Sequence, residues 1–343
     1  MSKKKVPVIH QTDLFHPHAD PDDHWDLACQ FALAYGDEID LRGILMDYPL
    51  IDSYKGDPSI QAVNQMNYLT GQSVRLGVGL PKKAECAADV DAMLAGGKGL
   101  SGVNMVIDIL EKSDEPVVIH IVGSCRDIVA AARRSPELFK EKCKAVYLNA
   151  GASMPGSPLE YNVWLDAYTY SQAFKIPCPI YWMPCFDMAD SKVGYSVGEY
   201  GTYYTFMQGD ILPYLSPSMK NFFMYALSRT ADNRWLESLN YPVNEALVTQ
   251  FSELGRGMWC TGGFLHTAGK TVLRSGEIAK LGERPSEEVF CFEPISITCS
   301  DEGYTDWKLD SGSTDRYIYR VLDIDAYPAA MTAAMKTMLI EMP

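Results

Sequence analysis

The sequence predicts an α/β fold: an open, mostly parallel sheet with helices on both faces and a Rossmann-like core, plus an additional helical segment and C-terminal strands. Three observations predict it. Short apolar runs alternate with stretches of helical spacing from Val6 to Met183. The first of these, strand then helix then strand (Val6–Ile9, a repeat ending near Tyr35, Ile39–Met46), implies parallel pairing through a right-handed crossover. The run VVIHIV at Val117–Val122 is apolar throughout but for His120 and bounded by Pro116 and Gly123, as a strand covered on both faces would be.

The stretch from Val6 to Gly36 organises the chain. Its strand ends in Thr12-Asp13, a loop follows with Asp20, Asp22 and Asp23, and Trp25, Leu27, Ala28, Phe31, Ala32 and Tyr35 then recur at helical spacing. The acids therefore fall between a strand's carboxyl end and a helix's amino end, where α/β folds place ligands. Asp22 and Asp23 could serve only as helix caps. Capping needs one acid, and four in one crevice repel each other unless a cation relieves them, so a ligand or metal site is the favoured reading.

Beyond Ile39–Met46, Asp47 falls at a strand end and reads as a turn residue in preference to a supporting acid of the site. A loop at Asp52–Pro58 leads to a helix over Ser59–Thr70, stopped by Gly71, and Val74–Val78 is the next strand. GVGLPKK at Gly77 and AGGKGLSG at Ala95 are loops and not phosphate cradles: Pro81 stands where a helix should open, and no hydroxyl follows Lys98. Asn104–Lys112 reads as a helix, and His120 inside the central strand as a core histidine.

After that strand, Ser124–Asp127 opens a helix carrying Ile128, Val129, Ala131 and Ala132. Ala145–Leu148 is a strand, and the loop behind it holds Glu160, Tyr161 and Asn162 at the presumed ligand edge, with Asp166 as a helix cap. Pro179–Met183 is one more strand. Residues 193–265 read as a helical insertion, a structural layer by default and a cap over the ligand as the alternative. His266, among apolar residues, reads as packed. Strands at Val289–Thr298 and Arg316–Val321 precede a helix from about Ala326 to Met342. No linker or internal repeat divides the chain, so residues 1–343 are expected to form a single domain.

Composition narrows the function. A net charge of -14 argues against nucleic acid or an anionic membrane surface as partner. No run reaches the ~18 apolar residues of a membrane span. Nine cysteines without C-x-x-C pairs read as reduced, buried thiols, and with no leader after the basic Met1–Lys5 the expected location is cytoplasmic. The subunit number is not legible, and a homo-oligomer is compatible with the sequence.

Taken in order, several motifs resemble those of the inosine-uridine-preferring nucleoside hydrolases. The family's D-x-D-P-G-x-D-D is matched by Gln11-Thr12-Asp13, an insertion at Leu14–Ala19 carrying His16 and His18, and Asp20-Pro21-Asp22-Asp23. Its G-P-L-T-N corresponds to Gly123-Ser124-Cys125-Arg126-Asp127, its M-G-G to Asn149-Ala150-Gly151, and its E-F-N followed by Asp to Glu160-Tyr161-Asn162 and Asp166. His266-Thr267 is the nearest counterpart of its late His-Asp pair. The resemblance implies a calcium ion held by Asp13, Asp23 and the carbonyl of Arg126, with the last carboxylate replaced by Thr267. It also implies Asp13 as general base, His266 as general acid, Asp22, Glu160 and Asn162 on the ribose hydroxyls, and Asn149 lining the substrate pocket. His24 has no counterpart.

The expected function is hydrolysis of the N-glycosidic bond of a nucleoside or related small-molecule ribosyl compound by a metal-activated water. Phosphoryl transfer from Asp13 is the second enzyme reading, weakened because no Lys or Arg clamp can be placed near it. A non-catalytic ribose or nucleoside binding protein that has lost part of the metal site is the alternative from a different class.

Overall fold

The computed structural model describes residues 4–18, 21–48, 57–156, 159–188 and 196–343. Asp20 and the greater part of the Asp52–Pro58 loop lie outside the described residues. A nine-stranded sheet runs through the molecule, made of β1 (Val6–Thr12), β2 (Ile39–Met46), β3 (Arg75–Val78), β4 (Val117–Ile121), β5 (Cys143–Asn149), β6 (Ile180–Met183), β7 (Phe290–Cys299), β8 (Thr305–Leu309) and β9 (Arg316–Val321). Their order is β8-β7-β9-β6-β5-β4-β1-β2-β3. Every neighbouring pair from β9 to β3 is parallel, and β7 adds to β9 and β8 to β7 antiparallel.

The chain winds outward from β1 to β3, then returns to the other side of β1 to lay down β4, β5 and β6. Strand order thus reverses between β1 and β4, and their carboxyl ends diverge into the crevice where open α/β sheets bind ligands. Successive residues of β1 feed opposite faces, Val8 one core and Ile9 the other. On the Val8 face lie α1 (Asp22–Tyr35), α2 (Ile60–Thr70), α7 (Pro217–Leu227), α8 (Thr261–Thr267) and α9 (Tyr327–Leu339). The Ile9 face carries α3 (Ser101–Lys112), α4 (Arg126–Arg134), α5 (Tyr161–Leu165) and α6 (Ala167–Ala173).

Helix α1 is buried along nearly its whole length, with Trp25, Leu27, Ala28 and Phe31 fully enclosed. It touches the sheet, α2, α8 and α9, which leaves only Asp22 and Tyr35 at its ends in partial contact with solvent. At its far end Gly71 closes α2 in the left-handed region, φ 66°, where a side chain would be strained. Within the described part of 193–265, α7 is helical as expected, but Tyr204–Met207 pairs antiparallel with Gly255–Met258. That ribbon joins residues about fifty positions apart, so no local repeat announces it. Among the described residues no helix is long and apolar enough to cross a membrane.

Candidate active site

Four sequence-distant pieces meet at the carboxyl ends of β1, β2 and β4. Asp13 follows β1 directly. Burial pushes its carboxyl well above the usual range, and the charges of Asp47, Asp22 and Glu160 push it the same way against one lowering hydrogen bond from its own backbone. Asp47 is therefore part of this cluster, which corrects the turn reading. It is 1% exposed, and its carboxylate accepts from Gln11 Nε2 (2.7 Å), Ser124 N (2.7 Å) and Ser124 Oγ (2.9 Å). Gly123 makes this closeness achievable: a Cβ there would lie 2.7 Å from Asp13 N and 2.9 Å from Asp47 Oδ2.

From α1 come Asp22, partly exposed, and Asp23, buried, whose Oδ1 accepts from Thr12 Oγ1 (2.5 Å). Arg126 starts α4, with its guanidinium buried and turned away from Asp13. Its Nη1 donates to Leu80 O (2.6 Å) and its Nε lies 3.4 Å from Asp166 Oδ2. Asp166 caps α6 through Thr169 N (3.1 Å), as expected, and also accepts from Ala84 N (2.9 Å).

Glu160 is a cap as well. Its carboxylate accepts from Gly151 N (2.7 Å), Asn162 N (3.0 Å) and Val163 N (3.3 Å), tying the end of β5 to α5, although burial still raises its pKa. Asn162 Nδ2 donates to Val122 O (3.2 Å) and Asn149 O (3.3 Å). Asn149 is fixed on both sides: Nδ2 donates to Met183 O (2.8 Å) and Thr202 Oγ1 (3.0 Å), and Oδ1 accepts from the Cys260 thiol (3.1 Å). Glu160 and Asn149 therefore frame the pocket by holding its walls.

His266 is not brought to these acids. It sits in the last turn of α8, where Tyr147 O–H bonds to its Nδ1 (2.6 Å) and Phe292 and Tyr181 surround the ring. Tyr147 shares a row of the sheet with His120 and His10, and Asp13 lies three residues beyond that row. That row lies roughly 10 Å from Asp13 along the strands, so His266 makes no direct contact with the acids. Burial lowers its pKa to about 4, which keeps it neutral and able to accept from tyrosine. The neighbouring Thr267 hydroxyl pairs with His120 Nε2 (2.8 Å), and Gln30 Nε2 with His120 Nδ1 (2.6 Å), so His120 is a core histidine as expected.

The end of α8 that does reach the pocket is Cys260, its N-cap. Cys260 Sγ donates to Asn149 Oδ1 (3.1 Å); burial, then the Asp26 charge, push its thiol well above the usual range, as burial and then the Glu160 charge do for Cys185. Neither cysteine nor Asp26 was singled out from the sequence. Asp26 carried one available signal, its i+4 spacing from Asp22. The inserted histidines face α7 instead: His16 Nε2 bonds Thr230 O (2.5 Å) and its ring stacks on Tyr225, while His18 Nε2 lies 3.4 Å from Leu227 O. His24 packs near Phe222, with its pKa lowered to about 3 by burial and then by His18 and His16.

Among the described residues, no three His, Cys, Asp or Glu side chains gather as a metal-holding group. The donors that the resemblance assigns, Asp13, Asp23 and the Arg126 carbonyl, are all oxygen and suit a hard cation. They are too few to enclose calcium, which takes ~6–8 oxygens, without substrate hydroxyls and water.

No family model matches the sequence, and no curated protein matches it. Solved structures do match. A purine-preferring ribonucleoside hydrolase from Gardnerella vaginalis is 16% identical, with 97% of this chain and 99% of that one covered and a TM-score of 0.52. A plant nucleoside hydrolase is 14% identical over 98% and 100%, with a TM-score of 0.55. The type III effector protein XopQ, solved with adenosine diphosphate ribose, is 12% identical over 98% and 95%, with a TM-score of 0.53. The chain has the nucleoside hydrolase fold.

Proposed function

We propose that this protein hydrolyses the N-glycosidic bond of a nucleoside or related ribosyl compound, with Asp13 as general base. The observation that carries the reading is the placement of Asp13. It is a carboxyl raised by burial and by three neighbouring acids, at the point where strand order reverses. A carboxylate of raised basicity takes a proton from water more readily at neutral pH. The surrounding Asp22, Asp47 and Glu160 favour the positive charge that develops on the ribosyl ring as the bond to the base breaks. Asp22 and the carboxamide oxygen of Asn162 would take ribose hydroxyls.

Asp13, Asp23 and the Arg126 carbonyl would hold a calcium ion, which when bound supplies an acidified water and an anchor for the sugar diol. The bound adenosine diphosphate ribose of the effector structure makes that compound a sensible member of any substrate panel.

A specific observation keeps the binding-protein reading as second. Thr267, which the resemblance sets against the family's last metal carboxylate, has its hydroxyl engaged by His120. The test is release of free ribose from a panel of nucleosides and adenosine diphosphate ribose, with and without chelator, for the native protein and Asp13→Asn. Turnover lost by about 10²–10⁴-fold in the variant supports hydrolysis. Calorimetric binding of a ribosyl compound without turnover supports the second reading.

A further inference from the structure

Between the Tyr204–Met207 strand and α9 lies a groove of about 660 Å³, within the ~300–1,000 Å³ of small-molecule sites. Its walls follow from the periodicity of the two elements. In the strand Tyr204 and Phe206 turn into the core, so Thr205 and Met207 face outward. In α9 Ala330, Met331, Ala334 and Met335 are buried, which leaves Ala329, Ala333 and Lys336, four and then three residues apart, along the open side. Two charges sit among these apolar walls. Lys336 is half-buried, with its ammonium 3.3 Å from the centre of the Tyr214 ring, and Asp210 is exposed at the edge. Neither charged group forms a hydrogen bond or ion pair with another described residue, and the two lie farther apart than the 4.0 Å of an ion pair. The groove thus offers one cation and one anion that do not neutralise each other.

We propose that this groove is an effector site for a small zwitterion with an apolar body, of the class of an apolar or aromatic α-amino acid. A simple anion would gain Lys336 but meet Asp210, and a simple amine the reverse. A zwitterion satisfies both charges in one pose. Its body would rest on Met207 and Tyr214, which are 46% and 61% exposed and offer apolar surface that a ligand removes from water. The Tyr214 face holds the Lys336 ammonium in the groove, so little side-chain freedom is lost when a carboxylate arrives. Both walls also converge on one residue. Tyr327, the first of α9, donates its hydroxyl to Thr202 O (3.1 Å), and the strand begins two residues after Thr202. Thr202 Oγ1 accepts from Asn149 Nδ2 (3.0 Å) at the wall of the ribosyl pocket. A ligand that fixes α9 against the strand therefore acts on the group that orients Asn149. That coupling rests on the pocket assigned under the proposed function, whereas occupancy of the groove does not.

Two measurements on the full chain test this. The first is calorimetric titration with L-phenylalanine, with hydrocinnamate, which lacks its ammonium, and with phenethylamine, which lacks its carboxylate. Phenylalanine is expected to bind roughly tenfold or more tightly than either, the worth of a hydrogen bond between charged groups. Lys336→Met should bring phenylalanine down to the level of phenethylamine, and Asp210→Asn to that of hydrocinnamate. Ala329→Trp, at an exposed position, should fill the groove and abolish all three while melting as the native protein does. Phenylalanine that binds no better than its two analogues, or binds Ala329→Trp equally well, overturns the proposal. So does an assembly of copies, seen by sedimentation, that binds no phenylalanine and falls apart in Met207→Glu, since a second copy then covers the groove. The second measurement is affinity for inosine with and without saturating phenylalanine, expected to rise roughly fivefold or more when the groove is filled. An unchanged affinity for inosine overturns the effector role. A protein that binds phenylalanine as expected but neither inosine nor ribose refutes the ribosyl reading and leaves the groove as a binding site.

Discussion

Gln11 Nε2 donates to Asp47 Oδ1 across 2.7 Å, and this bond fastens the carboxyl end of β1 to that of β2 directly behind Asp13. The Gln11 carboxamide also accepts from Gly123 N (3.2 Å), so one side chain ties three strand ends together. A carboxylate at Gln11 could not do this, because it has no donor to offer Asp47.

Replacing Asp47 is therefore expected to loosen the whole strand-end cluster. Asp47→Ala removes the acceptor of Gln11 Nε2 and of both Ser124 groups, each buried. Losing such an acceptor costs about 1–3 kcal/mol, partly offset here because Asp13 is freed of a like charge. The net expectation is a loss of about 2 kcal/mol, read as a lower midpoint in urea with an unchanged slope. An unchanged midpoint would show that these bonds carry no net stability.

A larger loss is expected at Asp166. Its carboxylate faces the Arg126 guanidinium, and the two side chains are 0% and 1% exposed. Asp166→Ala takes the nearest carboxylate from the buried guanidinium, which keeps the Leu80 carbonyl as an acceptor, and also uncaps α6. Breaking one side of a buried pair costs about 3–5 kcal/mol. Chemical denaturation of Asp166→Ala beside Arg126→Met and the double variant measures it, the double being expected to recover part of the loss.

How much of this the sequence disclosed depends on range. The strand at Val117–Val122, the acids after β1 and the cap at Asp166 were legible, because each rests on a run or spacing within a few residues. Asp47 and Cys260 were not: their partners lie 77 and 111 positions away. A strand-end aspartate looks the same in sequence whether it meets water or Ser124. His266-Thr267 is matched to the family motif by letter alone, and α8, which begins at Thr261, brings Cys260 ahead of its first turn to Asn149.

Asp127 sets a pH dependence of stability. Burial, then the Asp47 charge, raise its carboxyl to about 7, against lowering by Arg126 and the Leu80 N–H and a further rise from Asp166. The unfolded chain releases this proton near 3.8, and the folded chain near 7. Between those values the folded state holds more protons, so stability falls as pH rises, and above about 7 the penalty is constant. Its size is at most on the order of 4 kcal/mol. Asp127→Asn keeps the acceptor for Leu80 N (2.8 Å) and removes the titration. The native protein should thus lose stability relative to Asp127→Asn from pH 4 to pH 7, about the range of the shift. Parallel melting curves at all pH values would contradict it.

The clearest separation of likeness from geometry comes from His266. If it donated a proton to the leaving base, removing it would reduce turnover and leave stability alone. The structure predicts the reverse. His266→Phe keeps a ring among Tyr147, Tyr181 and Phe292 but removes the Nδ1 partner of the Tyr147 hydroxyl, a cost of about 1–3 kcal/mol. Ribose release by the folded variant should stay within about twofold of the native rate, whereas Asp13→Asn loses a general base worth about 10²–10⁴-fold. Thermal melting and the ribose assay on the same two variants decide between them. A His266→Phe protein that melts normally and is inactive would mean that α8 turns its other end to the substrate during turnover.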